Sequence, residues 1–169
     1  VTHGADTFPP RLYGTDFEVR GIAAGLLART LPRQEWTHEG HLAAVSVLIL
    51  EHPEFVLEQE LRGIISSYNS AVGGANDDHQ GYHETLTQFW LANARAFHAA
   101  TPKSSLVAGI NAFIAAPAGR RDAALRHFSP GLLFSVEARR RLVEPDLMPF
   151  PQLLLPGSKS ADVAPAPQF

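Results

Sequence analysis

Apolar side chains recur at three- and four-residue intervals through most of this chain, the spacing that places them on one side of an α-helix. The segment TDFEVRGIAAGLLARTL carries Phe17, Ile22, Leu26 and Leu27 behind Thr15 and Asp16, either of which can cap the first free amides. It predicts a helix over about 16–30. Pro32 ends that helix or starts the next, and Leu42, Val45, Leu48 and Ile49 form a second stripe that stops at Pro53. A third helix is predicted from about 54 to 72, with Leu57, Leu61, Ile64, Ile65, Tyr68 and Val72 on one side. A fourth, from about 82 to 99, turns Leu86, Phe89, Trp90 and Phe97 inward. Three shorter helices follow in SLVAGINAFIAA, GRRDAALRHF and SVEARRRLV, the last capped by Ser135.

Strand alternation is nowhere convincing, and there is no internal repeat. The fold class is therefore all-α: a single-domain bundle of about six or seven helices. Extended arms flank it. Residues 1–14 form the first and residues 151–169, rich in Pro, Ser and Ala, the second, leaving 15–150 as the helical domain.

Composition narrows the function classes. With 169 residues, 45% of them hydrophobic, the chain can bury one sizeable core. A formal net charge of -3 gives no general attraction to nucleic acid or anionic lipid, so neither is expected as a partner. Six arginines gather in the last third, at 120, 121, 126, 139, 140 and 141, with Asp122 and Glu137 to balance them. The longest apolar run, 42–50, is about half of what a bilayer span needs. The opening VTHGADTFPP does not read as a leader, and a soluble cytoplasmic protein is the expectation. There is no cysteine, so any metal must be held by His, Asp, Glu or water. Neither a glycine-rich phosphate loop nor a dinucleotide fingerprint is present, and no organic cofactor is expected.

Candidate chemistry centres on WTHEGH. His38 and His41 are three residues apart on one helical face, beside Trp36 and at the margin of an apolar stripe. Buried imidazoles need partners for their nitrogens, and a metal is one such partner. His83, in GYHET at the start of the fourth helix, is the best supplier of a third nitrogen. His38, His41 and His83 together would suit Zn²⁺, Fe²⁺, Ni²⁺ or Cu²⁺. Glu84 is the candidate fourth ligand or the base for a bound water, although a carboxylate there more often caps the helix. Tyr68 is inward-facing and could orient a substrate, with a structural hydrogen bond the commoner use. H-x-x-H is a weak motif, and histidines that merely hydrogen-bond within a core are the competing reading.

The combination LPRQEWTHEGHLA, LRGIISSYNSAVG, GYHETLTQFWL and LFSVEARRRLVEPDL resembles a family of small, largely uncharacterised bacterial all-helical proteins, over roughly residues 20 to 150. The resemblance implies an all-helical fold and groups His38, His41, Tyr68, His83 and Glu84 as one constellation, without supplying an activity. The expectation is a pocket for a divalent metal or a small polar molecule, with enzymatic use open and a homo-oligomer allowed. The alternative is a non-catalytic binding or interaction module.

Overall fold

A helix that is apolar on every side has to be surrounded, and α2 (His38–Glu51) is such a helix. Every residue from Leu42 to Leu48 is buried, so the expected stripe of Leu42, Val45, Leu48 and Ile49 is too narrow. α1 (Asp16–Ala28), α4 (Glu84–Ala100) and α5 (Leu106–Ala115) pack around it, and α3 (Leu57–Ala71) lies against α1 and α4. The computed structural model describes residues 9–102 and 104–150. Among them there are seven α-helices, three short 3-10 segments and no strand, so the fold is all-α. None of the described helices is long and apolar enough to cross a membrane.

Local sequence explains where the helices begin. Thr15 caps α1 by accepting from Glu18 N, and the Glu18 carboxylate returns to the Thr15 amide, a reciprocal arrangement that satisfies two free donors. Val19, Ile22, Ala23 and Leu26 are the buried row of α1. Phe17 was expected on that row and is instead 85% exposed. Its five-residue offset from Ile22 rotates it away from the face that positions 19, 22, 23 and 26 share.

The last third is more broken than expected. GRRDAALRHF forms only a 3-10 turn, Ala123–Arg126, since no side chain caps its start and so short a segment cannot repay helix nucleation. α6 (Pro130–Leu133) was not expected. It begins where Ser129 caps with Pro130 in the first helical turn. α7 (Val136–Arg140) starts on Ser135 and packs on α4. Phe89, Phe128 and Leu133 centre a second apolar cluster there, and Trp90 packs on both this cluster and the main core. The strap after α7 folds back on Ser129, whose amide and hydroxyl both donate to Asp146.

Of the 1–14 arm, residues 9–14 are described and form no helix, yet Tyr13 is buried and its amide and carbonyl both bond to the Asn111 side chain. The tail expected over 151–169 lies outside the described residues.

Leu48 lies at the centre of this packing and Phe17 outside it. Leu48→Ala should lower the unfolding free energy by about 3 kcal/mol in urea titrations. Phe17→Ala should stay within about 0.5 kcal/mol of the parent, and the opposite ranking would contradict the described core.

Candidate functional site

WTHEGH is the turn that launches α2. Thr37 is its N-cap and accepts from Gly40 N at 3.1 Å. Gly40 lies directly on the Glu35 carbonyl, where any Cβ would overlap it, so the 3-10 turn Arg33–Glu35 can seat against α2 only over glycine. Glu39 is buried and pairs with Arg121 at 3.3 Å. Burial alone would raise its pKa, but hydrogen bonding by its own amide and the Arg121 charge outweigh that and hold it below the usual range.

The two histidines of this turn are each fixed by a backbone carbonyl. His38 Nε2 lies 2.8 Å from Gly119 O, and His41 Nδ1 lies 2.6 Å from Thr37 O. A carbonyl only accepts, so the proton of each neutral ring is on the nitrogen that faces it. His38 Nδ1 and His41 Nε2 therefore keep their lone pairs. Gly119 makes the first anchor possible, because a Cβ there would collide with the Phe113 carbonyl. Aromatic contacts set the ring planes. His41 stacks on Trp36 with centroids 3.6 Å apart, and His38 meets Trp90 edge-on at 5.0 Å.

Both rings line a cavity of about 320 Å³. On α2 the wall continues through Ala44, Val45 and Leu48, at the three- and four-residue spacing that follows from His41. Leu86, Thr87 and Trp90 of α4 face it, and Leu61 and Ile65 of α3 close another side. Leu26 and Trp36 complete the wall. No Asp, Glu, Lys or Arg lines it, so the imidazoles are its main polar groups.

His83 also reaches this cavity, as the sequence suggested, but it arrives with both nitrogens occupied. It is the N-cap of α4: Nδ1 accepts from Leu86 N at 3.2 Å, while Nε2–H donates to Leu133 O at 2.9 Å. No lone pair is left for a metal. Among the described residues no group of three His, Asp or Glu side chains is placed to hold a metal ion.

Tyr68 and Glu84 lie outside the cavity wall. The Tyr68 hydroxyl is buried and donates to Leu31 O at 3.1 Å, and the ring braces Trp36 edge-on at 5.2 Å. It supports the site from behind. Glu84 is the first residue of α4 rather than the third, so the cap expected of it falls to His83. Its carboxylate accepts from Tyr82 Oη and Gln88 Nε2, both at 2.9 Å, and pairs with Arg62 at 2.7 Å. The polar loop after α3 is likewise tied down: Asp77 accepts from His79 N and Gln80 N, and Asp78 pairs with Arg140.

Burial holds all three cavity histidines below the ordinary imidazole pKa. For His41 the value falls to about 4, mainly through burial, with the hydrogen bond to Thr37 opposing and the neighbouring His38 adding to the drop. Near neutral pH the rings are acceptors, not cations.

An unfolded chain protonates histidine near pH 6.5, whereas folded His41 does so near 4. Stability is therefore complete above about pH 6.5 and falls toward pH 4, by up to about 3 kcal/mol for His41 alone. Urea titrations at about pH 7 and about pH 5 should register this loss, and His41→Phe should flatten it; an unchanged slope would contradict the buried neutral ring. His83→Ala should cost about 1–3 kcal/mol through the lost cap and the orphaned Leu133 carbonyl, and His83→Asn should recover part of it in the same assay.

The chain matches no known family, no curated protein and no solved structure.

Proposed function

We propose that the protein binds a small, largely apolar molecule in the cavity between α2, α3 and α4, with His38 and His41 as its polar contacts. One observation carries this reading: two oriented imidazoles that line a largely apolar cavity of about 320 Å³ each keep a nitrogen lone pair with no hydrogen-bond partner among the described residues. That size and lining, apolar walls with a few fixed polar groups, are what small-molecule sites have. Had burial alone been the requirement, leucine would fill the space without leaving acceptors that lack a protein partner. A lone pair held beside a bound hydroxyl or N–H is also the arrangement from which a base removes a proton, so the site is compatible with catalysis by His38, whereas His41, with its pKa near 4, can only accept a hydrogen bond.

A metal reading draws on the same two lone pairs. His38 and His41 would hold Zn²⁺, Fe²⁺, Ni²⁺ or Cu²⁺, with water or the ligand filling the remaining positions, and His83 would join only by giving up its cap. Histidines that serve purely as core hydrogen-bonders describe His83 well, and they leave the free nitrogens of the other two rings without a use.

Both tryptophans of the chain line the cavity, so intrinsic emission reports its occupancy. Titration with 4-butylphenol should change that emission saturably. Ala44→Leu, which fills the cavity from α2, should weaken the effect about tenfold while the circular dichroism stays unchanged. A saturable response that Ala44→Leu leaves intact would place binding elsewhere. Under the metal reading, Zn²⁺ raises the thermal midpoint of the parent but not of His38→Ala or His41→Ala.

A further inference from the structure

The binding reading leaves the ligand's chemistry open, and the protonation pattern of the cavity narrows it. Gly119 O and Thr37 O each take the single proton that a neutral imidazole can donate. What remains on these two cavity-lining rings is His38 Nδ1 and His41 Nε2, neither of which has a hydrogen-bond partner among the described residues. Both can only accept.

Three ligand types meet this pair differently. A purely apolar ligand would strip water from two acceptors and give nothing in return, which costs free energy for each buried nitrogen. A carboxylate or phosphate would bring negative charge against two lone pairs where no cation lines the wall; the nearby guanidinium of Arg121 is already engaged with Glu39. A hydroxyl or N–H supplies what the nitrogens lack. We infer that the ligand is a neutral molecule with a hydrogen-bond donor on an apolar body, of the alcohol, phenol or N–H heterocycle class, and not an anion. This rests on the cavity being a binding site, as proposed above.

The walls add shape to that chemistry. Trp36 stacked on His41 and Trp90 edge-on to His38 put a flat ring against each of the two imidazoles. A dry cavity of about 150 Å³ accommodates benzene. The cavity here is about 320 Å³, roughly twice that, with room for one ring and a short chain. The donor would sit at the His38 and His41 end, with the chain along Val45, Leu48 and Ile65.

The test compares three molecules of one shape against the unmodified protein at neutral pH: 4-butylphenol, its methyl ether 4-butylanisole, and 4-butylbenzoate, each read by tryptophan emission excited where the probes do not absorb. The phenol should bind about tenfold tighter than the ether, the worth of one hydrogen bond to an acceptor that the bound ligand covers from water. The benzoate should be weaker than the phenol by at least about a hundredfold. An ether as tight as the phenol, or a preferred benzoate, overturns the donor inference and leaves the binding site standing. If none of the three perturbs the emission, the binding reading fails and takes the inference with it. In a folded double variant, His38→Phe with His41→Phe, the gap between phenol and ether should close; a gap that persists overturns the assignment to these two nitrogens.

Discussion

A backbone carbonyl can accept a hydrogen bond but never donate one, and three such carbonyls decide what this cavity is. Gly119, Thr37 and Leu133 each face one nitrogen of a cavity-lining imidazole and so fix which nitrogen carries the proton. The second nitrogen then follows. In His83 it is consumed by capping α4, whereas in His38 and His41 it is left over. Three rings that look equivalent in a sequence motif therefore divide into one structural residue and two open acceptors. The division comes from α4 beginning at Glu84, which puts His83 at the cap.

The anchors hold only because the surrounding packing is rigid. α2 is enclosed on all sides from Leu42 to Leu48, so its first turn cannot drift without disturbing the main core. Gly40 lets the preceding 3-10 turn press onto that first turn, and Gly119 lets a distant carbonyl approach His38. Trp90 joins the main core to the second cluster around Phe89 and Phe128, and it also forms part of the cavity wall. Stability and site geometry thus share residues. Substitutions at Trp36, Trp90 or Gly119 would disturb both together, while Ala44 offers a way to change cavity volume from within one helix.

How much of this was legible in the sequence depends on the range of the interaction. The four long helices, the Ser135 cap, a cap of α1 at Thr15 or Asp16 and the inward direction of His38, His41, Tyr68 and His83 are local, and periodicity with turn chemistry reveals them. Phe17 and Glu84 were misplaced by a register of one or two residues, enough on a helix to move a side chain to another face or from one cap position to another. The grouping of His38, His41 and His83 around one space was foreseen, but not that each would be claimed by a carbonyl. For His38 and His83 the acceptors are main-chain atoms 81 and 50 residues away, which no side-chain pattern encodes; for His41 the acceptor is Thr37 O, four residues back, and there it is the ring's rotamer that the pattern leaves open. The pairing of His98 with the buried Ser46 is equally invisible in the sequence, since it bridges α2 and α4 across 52 residues.

Which nitrogen of each ring is protonated decides whether the cavity has two free acceptors. Long-range nitrogen–proton correlation spectra of the imidazoles, assigned by comparison with single His variants, measure this directly near neutral pH. The structure requires neutral rings, with the proton on Nε2 in His38 and His83 and on Nδ1 in His41. The opposite tautomer at His38 or His41, or a protonated imidazolium at either, would mean that the cavity does not present the two free acceptors on which its proposed chemistry depends.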